Sequence, residues 1–170
     1  NNTAENKNNL PVSVIIAVYN GEENLNRLLN LLKNQTYSGQ MEFIIVDDES
    51  TDSTYDIIQS YTSIDKRFKY LSSSIGKTTL SHKKRALDVG IEHSKFEHLL
   101  FTDVDCIIQL KWVESMMLGF ANDTDYLIGY SQADNTSSTA SRFQRNSPRG
   151  DRGLILRRCL PSSNNPERIM

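Results

Sequence analysis

An α/β domain built on a parallel sheet is predicted for this chain by three observations. Short apolar runs rich in β-branched residues recur along the first 130 positions, and most are followed by a segment with helical apolar spacing. Strands that alternate with helices pair in parallel through right-handed crossovers. Acidic pairs close two of the runs, at the strand ends where open α/β sheets hold their ligands.

Residues 1–10 are polar and Asn-rich and are expected to form a disordered leader. The run Ser13 to Val18 (SVIIAV) suits a strand buried on both faces, and Tyr19-Asn20-Gly21 supplies a turn. A helix is expected from about Glu22 to Gln35, with Leu25, Leu28, Leu29 and Leu32 on one face and acids in its first turn. Glu42 to Val46 reads as the second strand, Asp47 to Asp52 as a loop and Ser53 to Tyr61 as a helix. Arg67 to Leu71 is a weaker strand. Thr79 to Ser94 makes a basic-faced helix marked by Leu80, Ala86, Leu87 and Ile91. Leu99 to Thr102 is the fourth strand, Trp112 to Phe120 a helix, and Asp125 to Tyr130 a fifth strand.

The 170 residues suffice for one domain with a sizeable core and are too few for two ordinary ones. A net charge of −2, with no basic stripe along a helix, argues against a nucleic-acid partner. No apolar run approaches the ~20 residues that span a bilayer, and no secretory signal is visible. Cys106 and Cys159 lack metal-type spacing, which suits a reducing, cytoplasmic setting. The chain begins at Asn1, so it is expected to be a fragment, with an upstream membrane anchor left open.

After Ser131 the character changes. Residues 132–170 contain seven Arg and no Lys, whereas residues 1–131 contain nine Lys and three Arg. This stretch is rich in Ser, Asn and Pro, and its apolar stretch is Leu154-Ile155-Leu156. Two readings stand: a surface loop or disordered tail, or a segment foreign to the domain through a shifted frame or a vector-derived end.

Asp103-Val104-Asp105 closes the run Leu99-Leu100-Phe101-Thr102. Two carboxylates at a strand end call for a cationic partner or open water, and they are hard oxygen ligands suited to Mg²⁺ or Mn²⁺ shared with phosphates. Asp47-Asp48 closes the second strand. Ser50, Thr51 or Asp52 can cap the helix that follows, so the pair is not needed for capping. Asp48 is expected to accept a hydrogen bond from a base, and Asp47 to be structural. Lys83, Lys84 and Arg85 suit either a diphosphate or a solvated basic face. His82 reads as a surface residue. Tyr19 reads as a residue beside a base or at the edge of the sheet.

Together these residues resemble the nucleotide-sugar domain of family 2 glycosyltransferases, the inverting enzymes of GT-A fold. Four stretches carry the resemblance: PVSVIIAVYNGEENL, VDDESTD, KKRALDVGI and LLFTDVDC, in the expected order from Pro11 to about Tyr130. The resemblance implies a Rossmann-like three-layer α/β/α sandwich with a mostly parallel sheet, a donor-binding domain over residues 11–131 and an atypical segment over 132–170. It implies that Ala17 and Tyr19 contact the nucleotide, that Asp48 binds the base, usually uracil, and that Lys83 lies near the diphosphate. Asp103 would approach the ribose, with Val104 beside it in the nucleotide-sugar site, and Asp105 would hold a divalent Mn²⁺ or Mg²⁺. Gly21 departs from an acidic residue often found there, leaving Glu22 as a substitute. No downstream Glu-Asp pair in an apolar framework appears, so the catalytic base is unassigned.

The implied activity is transfer of a sugar from a nucleoside-diphosphate donor to a saccharide or lipid-linked acceptor, in polysaccharide or glycolipid synthesis. The implied setting is the cytoplasm, at the inner face of the plasma membrane if an anchor lies outside this chain. A non-catalytic nucleotide-sugar-binding domain remains the alternative. A phosphoacceptor signalling domain would carry its acidic pair after the first strand and a Lys after the fifth, unlike this chain. A sugar-nucleotide pyrophosphorylase would lead with a Gly-rich loop, where this chain has Gly21 alone.

Overall fold

The structure, a computed structural model, describes residues 9–120, 126–130 and 152–157. Six strands form one sheet: β1 (Val12–Val18), β2 (Met41–Asp47), β3 (Phe68–Ser72), β4 (His98–Phe101), β5 (Tyr126–Tyr130) and β6 (Arg152–Arg157). The helices are α1 (Glu22–Lys33), α2 (Thr54–Thr62), α3 (His82–Glu92) and α4 (Trp112–Phe120), with a 3-10 turn at Ser73–Ile75. The sheet order is β3-β2-β1-β4-β6-β5. Pairings β3–β2, β2–β1 and β1–β4 are parallel, as the βαβ alternation requires.

β1 and β2 are continuous apolar runs because both of their faces are covered. Val12, Val14, Ile16 and Val18 point to one side with Phe43, Ile45 and Leu100, where they meet Leu25, Leu28, Leu29 and Leu32 of α1. Ile58 and Tyr61 of α2 and Trp112, Val113, Met116 and Met117 of α4 complete that layer. The opposite face presents Ile15, Ile44, Val46 and Leu99 to Ala86 and Val89 of α3. α3 comes close because Gly90 lies over β1: a Cβ there would stand 2.5 Å from Ile15 Cγ2.

The expected fifth strand is present, but it does not adjoin β4. β6 lies between them and runs antiparallel to both. β6 contains Leu154-Ile155-Leu156, the apolar stretch of the segment after Ser131, and its backbone pairs with β4 from His98 to Phe101. An apolar strand docked there covers an edge of β4 that would otherwise expose unpaired backbone groups. The expected leader over residues 1–8 and the rest of the segment after Ser131 lie outside the described residues.

Below the sheet's carboxyl edge, at its opposite end, Glu42 is buried and fully engaged. Its Oε1 accepts from Ser13 Oγ and from the Lys95 backbone N–H at 2.6 Å, and its Oε2 pairs with Lys69 Nζ at 2.6 Å. Among the described residues no helix is long and apolar enough to cross a membrane.

Candidate nucleotide-sugar site

The loops after β1 and β2 are sewn together at the carboxyl edge. Asn20, at φ 47°, turns the chain out of β1, in a left-handed conformation that Asn tolerates better than most residues. Its N–H donates to Ser50 Oγ at 2.9 Å and its Oδ1 accepts from the Thr51 N–H at 2.8 Å. Gly21 N–H donates to Thr54 Oγ1 at 2.8 Å. Glu22 N–H donates to Asp52 Oδ2 at 3.1 Å, and Ser53 N–H returns to Glu22 Oε2 at 3.0 Å. Each helix start is thus satisfied by the other's loop, and Glu22 caps α2. This lacing joins Tyr19, which is exposed, to the loop that begins at Asp48. The Asp48 N–H in turn donates to Val18 O at 2.8 Å. Ala17 is half-buried in β1 against the α3 layer.

Asp48 is 7% exposed. Its Oδ1 accepts from Ser73 Oγ at 2.6 Å and from Arg85 Nη2 at 3.3 Å. The same Nη2 donates to Ser73 Oγ at 3.1 Å and to Glu49 Oε2 at 2.9 Å. Hydrogen bonding to Glu49 holds the Arg85 guanidinium more firmly charged than usual, against the desolvation that opposes it. Glu49 itself adopts φ 63°, a strained conformation for a side chain of its kind. Oδ2 of Asp48 accepts no hydrogen bond among the described residues, and His82 Nδ1 lies 3.9 Å from it. Asp47 is buried, and its Oδ1 accepts from the Ser50 N–H at 3.1 Å.

α3 starts at His82, three residues later than its periodicity suggests. Lys77 O accepts from Leu80 N–H in a turn, and Ser81 is extended at φ −117°, ψ 146°, which delays the helix. Lys83, Lys84 and Arg85 therefore fall in the first turn rather than mid-helix. Cations there oppose the helix dipole and need anionic partners. Arg85 finds Asp48 and Glu49, not an open phosphate position, and Lys83 Nζ finds Asp103 Oδ1 at 2.5 Å.

Asp103-Val104-Asp105 forms a turn after β4, closed by the Cys106 N–H on Asp103 O at 3.2 Å. Val104 points inward against the β1–α1 turn: a Cβ on Gly21 would lie 3.1 Å from Val104 Cγ2 and 2.5 Å from Val18 Cγ2. Both carboxylates are exposed, so they flank an apolar anchor. Asp103 is already countered by Lys83, whereas Asp105 makes no hydrogen bond or ion pair among the described residues. No cluster of three His, Cys, Asp or Glu side chains suited to a metal occurs among the described residues. A hard cation here would have one or two protein carboxylates and would need phosphate oxygens and water to complete its shell, which fits Mg²⁺ or Mn²⁺ chemistry.

β1 separates β2 from β4, so Asp48 and the Asp103 turn sit two strands apart, about 10 Å. The structure brings Lys83 to Asp103 and Arg85 to Asp48. Ser73 went unread in the sequence; its signal was position, at the carboxyl end of the strand beside β2.

The Glycosyl transferase family 2 profile matches residues 13–165. EpsH of Bacillus subtilis is 35% identical over 118 residues, covering 69% of this chain and 32% of EpsH. The poly(ribitol-phosphate) β-N-acetylglucosaminyltransferase TarP of Staphylococcus aureus is 33% identical over 122 residues, covering 69% of this chain and 36% of TarP. The chain thus spans about a third of the length of these curated relatives. Among solved structures, residues 1–349 of S. aureus TarS superpose with a TM-score of 0.56 at 28% identity, over 70% of this chain and 35% of that one. The same TarS portion in complex with UDP-GlcNAc gives 0.58 at 25% identity, over 76% and 37%. The α/β fold is the GT-A fold of these neighbours. The chain belongs to glycosyltransferase family 2.

Proposed function

We propose that the carboxyl edge of this sheet binds a UDP-sugar together with Mn²⁺ or Mg²⁺, as the donor site of an inverting glycosyltransferase. The observation that carries this reading is the pairing of a buried carboxylate, Asp48, having one acceptor oxygen unoccupied among the described residues, with an exposed two-carboxylate turn two strands away. UDP-GlcNAc bound by TarS supports the donor class.

In this reading Asp48 Oδ2 accepts the base N–H, with Ala17 and Tyr19 beside the nucleotide. Asp103 and Val104 lie along the ribose, and Asp105 holds the metal. The metal supplies Lewis-acid neutralisation of the diphosphate. Lys83, at the positive end of α3, is positioned to add charge stabilisation as the diphosphate departs. The acceptor hydroxyl loses its proton to a general base that is not among these residues. Its oxygen bonds to the anomeric carbon as the bond to the diphosphate breaks, which inverts that centre. The acceptor in this reading is a saccharide or a lipid-linked acceptor, reached in the cytoplasm.

A thermal-shift panel of UDP-, GDP- and CDP-sugars with and without Mn²⁺ tests this. A ligand bound by the native state alone raises the melting temperature. UDP-sugar with Mn²⁺ is expected to give the largest rise. Folded protein with no rise for any nucleotide sugar would contradict the proposal.

A further inference from the structure

Arg85 occupies a position that neither packing nor helix stability explains. It stands in the first turn of α3, where the dipole disfavours a cation, and its guanidinium is mostly covered, with Nε buried and lacking a hydrogen-bond partner among the described residues. A single nitrogen, Nη2, reaches three acceptors: Asp48 Oδ1 at 3.3 Å, Ser73 Oγ at 3.1 Å and Glu49 Oε2 at 2.9 Å. Ser73, wholly buried, adds its own hydrogen bond to the same Oδ1 at 2.6 Å. The stem is backed by Gly76, where a Cβ would stand 2.9 Å from Arg85 Cγ. The missing side chain at Gly76 therefore leaves room for the Arg85 stem beside the 3-10 turn.

This arrangement has a chemical consequence. Two donors occupy Oδ1, and Oδ2 accepts none among the described residues. Two carboxylates, Asp48 and Glu49, share one guanidinium. We propose that Arg85, together with Ser73, is a positioning residue that holds Asp48 as a one-sided acceptor and thereby makes the site discriminate between pyrimidines. Uracil presents an N–H at ring position 3, which such an oxygen accepts. Cytosine presents a lone pair at the same position, which a carboxylate repels. The proposal rests on the assignment of Asp48 to the base, and it adds the residues that enforce the choice.

The test is a pair of dissociation constants, for UDP and for CDP, measured calorimetrically with Mn²⁺ on the full chain. A hydrogen bond to a charged group implies a UDP preference on the order of 10- to 100-fold in the native protein. Arg85→Met is expected to reduce that ratio about tenfold, and Ser73→Ala to reduce it less. Arg85→Lys is expected to keep part of it, because one nitrogen makes all three contacts but the lysine ammonium ends one atom short of Nη2. A merely structural role would weaken both nucleotides equally and leave the ratio unchanged. That result in a folded Arg85→Met protein would overturn the proposal, and if this variant does not fold, an unchanged ratio in Ser73→Ala does so. Asp48→Asn separates the two levels. If it leaves the ratio intact, the assignment of Asp48 to the base fails; if it abolishes the ratio while both positioning variants retain it, only the role of Arg85 and Ser73 fails.

Discussion

Gly21 shows how a single missing side chain holds the site together. The acidic residue expected there from relatives is absent, and Glu22, the substitute, is committed to the Ser53 N–H at 3.0 Å. The reason is local: Val104 and Val18 fill the space a Cβ would take. Gly21→Ala is expected to cost about 1–3 kcal/mol, the usual penalty for overpacking, in a urea titration. The same change would displace the turn carrying Asp103 and Asp105. A neutral result would mean that the β1–α1 turn and the Asp103 turn are not mechanically joined. The residue types of the site were legible in the sequence because carboxylates at strand ends are costly without a task. Their partners were not, because Arg85 meets Asp48 across 37 positions and Lys83 meets Asp103 across 20.

Elements were legible where burial is continuous. β1, β2 and α1 follow their apolar runs closely because both faces of the strands, and one full face of the helix, are buried. The apolar pattern of α3 extends back to Leu80, but the extended Ser81 that follows it delays the helix to His82. Capping was legible in type and not in target. Asp52 was a candidate cap for α2, and it serves both helices, accepting from Thr54 N–H at 3.0 Å and from Glu22 N–H at 3.1 Å. Desolvation acts against its ionised form, but these bonds and that from the Thr54 side chain outweigh it and hold the carboxyl below its usual range. Asp52→Ala is expected to lower stability by about 1–2 kcal/mol, the upper part of the range for a lost cap, since two helix starts lose an acceptor. Denaturant unfolding followed by circular dichroism checks this. A change within experimental error would indicate that water replaces the carboxylate at both helix starts.

For the whole molecule, alternation of strands and helices implied parallel pairing but not strand order. β6 enters the sheet from more than fifty residues downstream of β4, a separation no local pattern encodes. The polar cluster at the far end of the sheet was equally hidden. Burial of Glu42 opposes its ionisation, but Lys69, Ser13 and the Lys95 N–H prevail and depress its pKa below 4.5. Its stabilising contribution is therefore complete above the unfolded value and is lost as pH falls through the lower folded one. Stability should decline below about pH 4.5, and Glu42→Gln should flatten part of that decline, the remainder belonging to Asp52 and Asp65, which shift the same way. Denaturation midpoints from pH 3 to 7 read this; an unchanged acid limb in Glu42→Gln would remove Glu42 from the account.

The sheet's carboxyl edge is the centre of the account, and calorimetric titration of UDP with and without Mn²⁺ tests it most directly. Mn²⁺ should raise UDP affinity at least tenfold in the native chain, about 1.4 kcal/mol, and leave Asp105→Asn nearly unaffected. Equal UDP affinity with and without metal in the folded native chain, or an equal metal effect in Asp105→Asn, would contradict the assignment of this edge as a metal-assisted donor site.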